Sequence, residues 1–383
     1  MKRNWLVALA MLVTFALLTV TGAQAAKREK FGVDSRHESS TRVKFKPSDE
    51  KFRWKMTMPW SKGLLFYDIA VHFCDSVRLA TAGRLDIKPF SAGEIVPAMQ
   101  TFDAVSKGSV QVGHDWAGYW KGKDEGFVPL GDMPFGLDSE GYNIWLYERG
   151  GLELAQELYG NFNLQVLPCG QTGQDMGIFS NKRATKMDDF KGMKVRTVGW
   201  YMDILNRLGA AATPMPGGEI YLALERGVLD GAEFSAPAIT YPMGFDDITK
   251  YVLSPGVHQP GSQCYVFFNK DAWNELPEDL QEIVKICAKE TQLWSYNWIQ
   301  NLNSQAMAKL TEKVEIVQMD PETLIEFNNV SQKYINEIKE KNPNAKKIIE
   351  SQEAFKKDFE NWRNARANVT PWSHETYATG RTN

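Results

Sequence analysis

The sequence predicts an α/β protein of two lobes, each built around a mixed β-sheet, with long helices towards its C-terminus. Helical and strand-like segments alternate from Phe52 onward, which is typical of βαβ units with mostly parallel strands. One pattern occurs twice, in residues 98–116 and 220–234: a glycine ends an apolar-striped helix, and a short strand closing on polar and aromatic residues follows. Because open α/β sheets bind ligands at the carboxyl ends of their strands, the two units indicate two lobes facing one cleft.

The spacing of apolar residues predicts the individual elements. Residues 64–79 have the period of an amphipathic helix, and strands are expected on either side at 52–58 and 85–90. Pro277 opens a longer helical pattern that runs to about Thr311, which corresponds to roughly 50 Å at 1.5 Å per residue. Because that length exceeds one lobe, the helix either braces both lobes or meets another subunit.

These elements divide the chain into lobes and C-terminal helices. Lobe I is predicted over residues 51–168 together with part of 262–310, and lobe II over residues 169–261. The C-terminal helices are predicted over residues 277–383, with two further helices after Pro321. We expect them to brace the lobes.

The N-terminal residues indicate export from the cytoplasm. Lys2 and Arg3 precede an uncharged apolar run over residues 5–20, and small residues follow up to Ala25. This order is typical of a signal peptide over residues 1–25, cleaved after Ala25. A membrane anchor is the alternative, but the run is shorter than the roughly 20 residues that span a bilayer. The polar residues 26–50 lack periodicity and are predicted to be a flexible leader.

Composition limits the partners and cofactors. The chain has 383 residues, and loss of the signal peptide leaves 42 basic against 47 acidic residues. No basic block stands out, so nucleic acid is not an expected partner. Cys74, Cys169, Cys264 and Cys287 show no CxxC spacing, which argues against a zinc site and favours buried free thiols.

The sequence lacks the common enzyme motifs. GxSxG, HExxH, P-loop and GxGxxG patterns are absent, and the five histidines are scattered. The Gly-Gly pair in residues 216–219 precedes Glu219 and is ordinary chemistry for the start of a helix. A binding protein is therefore favoured over an enzyme, with a structural envelope protein as a third possibility.

Three polar segments are candidates for the cleft. Arg196 ends a short predicted strand just before a helix, where its planar guanidinium could hold a carboxylate with two hydrogen bonds. A surface arginine is the alternative interpretation. Residues 171–177 form a polar, glycine-rich crossing into lobe II, and Glu233 lies at a strand end.

Four motifs resemble one family of transport receptors. They are MPGGEIYLALERGVLDGAEF at 215–234, KGMKVR at 191–196, MPFG at 133–136 and YWKG at 119–122. The chain resembles the solute-binding subunits of tripartite ATP-independent periplasmic (TRAP) transporters, within the branch that takes 2-oxo acids and lactate. The resemblance covers most of residues 52–311. It implies a two-lobe periplasmic-binding-protein fold, a periplasmic location, a membrane permease as partner and a homodimer held by C-terminal helices.

The resemblance also implies roles for individual residues. Arg196 matches the arginine that holds the ligand carboxylate, and Tyr119 matches an aromatic hydroxyl that contacts it. Gln174 stands where the branch has a polar amide. Glu233 matches a carboxylate that binds a metal ion, and Phe234 takes a place often held by tryptophan, whose backbone oxygen serves the metal.

Three further positions bear on the ligand and the metal. Gln259 lies in a segment that can also approach the ion. Asp175 replaces an amide that is common in the branch, and residues 235–240 replace its usual aromatic and acidic continuation. Both departures affect the ligand that the site would select.

Charge counting predicts the metal. If Asp175 and Glu233 both face the ligand carboxylate, three negative groups meet one positive group, Arg196, and unpaired buried charge is costly. A divalent ion balances the charge, and hard oxygen donors suit calcium, so Ca²⁺ is favoured over Na⁺ at a site of Asp175, Glu233, Phe234 and Gln259. Three alternatives remain: an amino-acid-like ligand whose ammonium meets Asp175 without a metal, an Asp175 that only caps backbone, and a secreted hydrolase using Asp175 and Glu233.

Overall fold

A computed structural model describes residues 49–367. The predicted signal peptide and residues 26–48 of the predicted leader lie outside the described residues, as do residues 368–383 of the predicted C-terminal region. The strands are β1 (Phe52–Thr57), β2 (Leu85–Phe90), β3 (Val112–Trp116), β4 (Leu164–Gly173), β5 (Ile178–Ser180), β6 (Lys194–Arg196), β7 (Ala211–Thr213), β8 (Gly231–Ala232), β9 (Tyr251–Ser254), β10 (Ser262–Asn269) and β11 (Glu315–Gln318).

The α-helices lie between and after these strands. They are α1 (Leu65–Ala80), α2 (Thr101–Ser106), α3 (Val128–Gly131), α4 (Ser139–Glu148), α5 (Gly151–Gly160), α6 (Gly199–Arg207), α7 (Ile220–Glu225), α8 (Pro237–Thr240), α9 (Phe245–Ile248), α10 (Lys270–Glu275), α11 (Glu278–Leu310), α12 (Pro321–Lys341) and α13 (Pro343–Ala367). Short 3₁₀ turns occur between them, including Ala117–Trp120 after β3.

Two sheets form the two lobes. The first has the order β2-β1-β3-β10-β4, and the second has the order β11-β9-β5-β8-β6-β7. Of the nine strand pairs among residues 49–367, five are parallel and four antiparallel, because β10 and β5 run against their neighbours. The prediction of two lobes with mixed sheets is confirmed.

Two stretches of chain cross between the sheets. Strand β4 stays in the first sheet up to Gly173, beyond the boundary predicted after residue 168, and β5 begins the second sheet at Ile178. The chain returns between β9 and β10, over residues 255–261. The backbone N–H of Asp175 in the first crossing donates to the carbonyl of Gln259 in the second at 3.0 Å, so the crossings run side by side.

Helix α1 shows how the sequence pattern produces the packing. Phe66, Ile69, Phe73 and Val77 share one face and are buried, whereas Leu79 near the end of the helix is exposed. The four cysteines are also buried and free, as the sequence predicted. Within residues 49–367, no helix is both long and apolar enough to cross a membrane.

Helix α11 is the long C-terminal helix, with 33 residues. In the first lobe, its Gln292 side chain accepts from the backbone N–H of Gly170 at 2.7 Å. In the second lobe, its Asn303 side chain accepts from the backbone N–H of Ala238, the second residue of α8, at 2.9 Å. Helix α11 therefore contacts both lobes. After it, β11 joins the second sheet and α12 and α13 follow.

Candidate functional site

Strand ends place the first set of polar residues. Strands β6 and β8 are parallel neighbours, and Arg196 lies opposite Ala232. Glu233 directly follows Ala232, so Arg196 and Glu233 come to the same edge of the second sheet. Strand β3 of the first sheet ends at Trp116, and the 3₁₀ turn that follows carries Tyr119. The carboxyl ends of strands from both lobes thus meet at one cleft, as the repeated sequence pattern predicted.

Arg196 is buried and held by backbone carbonyls. Its Nε donates to the carbonyl of Met215 at 3.0 Å, and its Nη1 donates to the carbonyl of Glu233 at 2.7 Å. The Phe234 ring lies beneath the guanidinium, with 5.3 Å from Cζ to the ring centroid. Within residues 49–367, no hydrogen bond is described for Nη2. A rigid guanidinium with a free nitrogen is suited to bind a carboxylate.

The two crossings supply the second set of polar residues. One side-chain oxygen of Asp175, Oδ1, accepts from the backbone N–H of Gly177 at 2.7 Å. The other, Oδ2, lies 3.5 Å from Nε2 of His258, and that nitrogen is 3.6 Å from Oε2 of Glu233. The His258 ring stacks on Tyr201, with 4.2 Å between centroids. Asp175 therefore caps the backbone with one oxygen and faces His258 with the other.

We call Asp175, Glu233 and His258 the acid–imidazole cluster. All three are buried, and one ligand atom from each lies within 4.8 Å of the others. The separations exceed hydrogen-bond length, and within the described residues Oδ2 of Asp175 and both nitrogens of His258 have no hydrogen-bond partner. Two carboxylates and an imidazole around a gap of this size fit a metal cation.

The charges in the cluster depend on one another. Burial raises the pKa of Asp175, although His258 partly offsets this effect. Burial opposes the charge on Glu233 too, but His258 and Arg196 together lower its pKa. Burial opposes the charge on His258, yet the two carboxylates raise its pKa to about 10. A cation is therefore stabilised between the carboxylates.

A cavity between the lobes joins Arg196 to the cluster. This polar cavity is small, about 20 Å³, and it is lined by Phe66, Trp116, Tyr119, Asp132, Arg196, Val198, Tyr201, Glu233, Phe234, His258, Gln259 and Ser262. The Tyr119 hydroxyl accepts from Nε1 of Trp60 at 3.4 Å. Burial raises the pKa of Tyr119 to about 12, so its hydroxyl stays protonated and can donate to an anion.

Most of the predicted site residues come together here. Arg196, Tyr119, Glu233, Phe234 and Gln259 line the polar cavity, and Asp175 belongs to the cluster beside it.

Gln174 does not join these residues. It is exposed and does not line the polar cavity. Its neighbour Asp175 is buried, so the first crossing turns the Asp175 side chain inward and leaves the Gln174 side chain in solvent.

Two residues of the site were missed from the sequence. His258 was counted among scattered histidines, although it precedes Gln259 in a segment already expected near the metal. Asp132 lines the polar cavity, and burial raises its pKa well above the ordinary value. Asp132 lies one residue before the motif at 133–136, and that proximity was the available signal.

The chain was compared with known proteins. Residues 56–342 match the model of the family described as DctP, bacterial extracellular solute-binding protein, family 7. The chain belongs to this family. The match confirms the resemblance noted from the four motifs and makes the chain a TRAP-type solute receptor. It also rules out the hydrolase, because the members are receptors and not enzymes.

Individual relatives carry more specific descriptions. A monocarboxylate 2-oxoacid-binding periplasmic protein of Nostoc sp. is 35% identical over 85% of this chain and 89% of its own length. A TRAP solute-binding protein of Bordetella bronchiseptica, a dimer with copurified calcium and picolinate, has a TM-score of 0.82 at 29% identity, over 87% of this chain and 98% of its own. One from Pseudoalteromonas atlantica with sodium and pyruvate has a TM-score of 0.79 at 29% identity, over 82% and 96%.

The contact between the crossings can be tested at Gly256. A Cβ at this position would overlap the backbone carbonyl of Asp175, so Gly256→Ala must push the crossings apart. We expect a loss of about 1–3 kcal/mol in the free energy of unfolding, which is typical of overpacking. Chemical denaturation measures it. Gly218→Ala is the control, because a Cβ there meets nothing within 4 Å. Equal stability of the two variants would contradict a close contact.

Proposed function

We propose that this receptor binds a small organic carboxylate, such as a 2-oxo acid or a hydroxy acid, between its lobes and delivers it to a TRAP membrane permease. The observation that carries the proposal is Arg196, which is buried, fixed by two backbone carbonyls and still has one nitrogen to offer. A prepositioned guanidinium loses little freedom when it binds a carboxylate. The ligands named for the relatives, which are 2-oxo acids and picolinate, all carry a carboxylate.

Each residue of the polar cavity has a role in this proposal. Arg196 pairs with the ligand carboxylate, and the Tyr119 hydroxyl donates a further hydrogen bond. The ring of Phe234 packs against one face of the Arg196 guanidinium. Because the first lobe contributes Tyr119 and the second contributes Arg196, a bound carboxylate would hold the two lobes together.

We propose that the acid–imidazole cluster binds a metal ion, with calcium favoured over sodium. Asp175, Glu233 and a ligand carboxylate against Arg196 leave a charge of −2. A divalent ion that displaces the proton of His258 cancels this charge, and a monovalent ion does not. The carboxylate oxygens, with the Phe234 carbonyl and Gln259 as further donors, suit calcium. Bound calcium would supply positive charge to an oxygen of the ligand. Calcium and sodium each occur in a relative.

We further propose that the protein works in the periplasm after cleavage behind Ala25. The export signal in residues 1–25 and the extracellular nature of the family support this location.

Replacing Arg196 tests the carboxylate site. Arg196→Lys keeps the charge but loses the planar pair of donors, and a charge-assisted hydrogen bond contributes about 1.5–3 kcal/mol. We expect calorimetry with pyruvate to show affinity reduced at least about tenfold. Arg207→Lys, at an exposed pair with Glu337, is the control and should bind normally. Unchanged affinity in Arg196→Lys would remove Arg196 from the site.

Chelation tests the metal. Treatment with a chelator should weaken pyruvate binding by about tenfold or more, because Arg196 and protonated His258 then face three carboxylates, which leaves one negative charge uncancelled. Calcium should restore the affinity in the wild type and fail to do so in Glu233→Gln. Glu337→Gln, at a partly exposed position outside the polar cavity, serves as control.

Full affinity after chelation would refute the metal. If Asp175→Gln then abolished binding only of ligands that carry an amine, the amino-acid alternative would be correct.

We propose a homodimer formed through α11. Trp294 and Trp298 of this helix stack on each other, and Trp294 also stacks on His72 of the same chain. Ile286 and Leu293 lie two helical turns apart on α11 and are 66% and 61% exposed, so they offer an unpartnered apolar face. The dimeric relative supports this proposal.

Light scattering at micromolar concentration tests the dimer. The wild type should have twice the mass of one chain, and Ile286→Glu with Leu293→Glu should give monomers, since buried carboxylates disfavour the interface. Val228→Glu, at another exposed apolar position, should remain dimeric. A wild-type mass of one chain would refute the proposal.

A further inference from the structure

A second cavity opens beside Arg196, on the side away from the acid–imidazole cluster. It encloses about 390 Å³ and shares Tyr119, Arg196 and Val198 with the polar cavity. We infer that it receives the carbon chain of the ligand, so that the receptor selects 2-oxo or hydroxy acids with a bulky apolar side chain, branched or aromatic. This inference rests on the proposed function, because it takes Arg196 as the carboxylate anchor.

The walls of this apolar cavity come from both lobes. Trp60 and Leu64 lie on the side of the first lobe, and Pro214, Met215 and Pro216 lie on the side of the second. Of the described residues that line it, Arg196 is the one cation, and Glu219 is the one carboxylate. A hydrocarbon chain therefore fits the cavity, whereas a second carboxylate on the ligand would find no partner of its own.

The walls are fixed relative to the anchor. Trp60 is buried, stacks on Phe66 with 4.3 Å between ring centroids, and donates to the Tyr119 hydroxyl. On the opposite side, the carbonyl of Met215 accepts from Nε of Arg196. The Arg196 guanidinium thus fixes the wall that contains Met215, and Tyr119 is hydrogen-bonded to the wall that contains Trp60. A carboxylate at Arg196 would have its carbon chain beside both.

The volume indicates how much chain fits. At ~30 Å³ per water, the cavity would hold roughly a dozen water molecules, and its apolar walls offer them few hydrogen-bond partners. The methyl group of pyruvate would leave most of this space unfilled. Each additional buried CH₂ strengthens binding about fourfold, so the three extra carbons of 4-methyl-2-oxopentanoate should improve affinity by roughly sixtyfold.

Calorimetry in calcium-containing buffer tests the inference. We compare pyruvate, 4-methyl-2-oxopentanoate, phenylpyruvate and 2-oxoglutarate. The wild type should bind the branched and aromatic acids at least about tenfold more tightly than pyruvate, with 2-oxoglutarate the weakest. If pyruvate binds as tightly as the branched acid, the inference is wrong and the proposed function stands. If none of the acids binds, the proposed function fails and the inference fails with it.

Filling the cavity provides the second arm. Ala98→Phe, on the wall of the first lobe, should leave the affinity for pyruvate within about twofold and abolish the preference for the branched acid. Gly218→Leu does the same from the second lobe, where a Cβ meets nothing within 4 Å, and it replaces Ala98→Phe if that variant fails to fold. Ala211→Phe, at an exposed position on β7, is the control. A filled variant that loses pyruvate as strongly as the branched acid would contradict a separate place for the carbon chain.

Discussion

The hydrogen bond between the two crossings organises the site. The chain leaves the first sheet before Asp175 and returns to it after Gln259, and the bond between their backbones holds the two passages together. Since both crossings lie where the lobes meet, their side chains are placed in the cleft. Asp175 from one passage and His258 from the other thus become neighbours, although more than eighty residues separate them.

Burial then determines the charges of the side chains that the crossings bring together. Asp175, Glu233 and His258 are nearly without solvent, so the charge of each depends on its charged neighbours, which for Glu233 include Arg196. The cluster achieves local balance only when positive charge lies between the carboxylates. Arg196 lies beside the cluster, with its Nη1 3.4 Å from Oε1 of Glu233, and its two short hydrogen bonds go to backbone carbonyls, which leaves Nη2 for an incoming anion. One site therefore contains a place that attracts cations and a place that attracts anions.

Sequence patterns predicted those site residues whose position follows from the nearest strand or helix. The glycine that ends a helix before a short strand indicated the strand end at Glu233, and Arg196 was found at the end of another short strand, just before a helix. Residues in the crossings were harder, because side-chain direction in irregular backbone has no period to follow. Gln174 was expected in the site and faces solvent, whereas His258 was not expected there and completes the cluster. Only the pairing of the distant crossings decides which of these side chains turns inward.

Helix α11 is bonded to the first lobe through Gln292 and to the second through Asn303. Because this helix is bonded to both lobes, they cannot rotate independently. Any change in the width of the cleft must therefore bend the crossings or shift the contacts along α11. The affinity for a ligand then depends on the energy needed to deform α11 and the crossings, in addition to the contacts made by the ligand. Two receptors with the same residues in the pocket can therefore differ in ligand affinity through the stiffness of this helix and of the crossings alone.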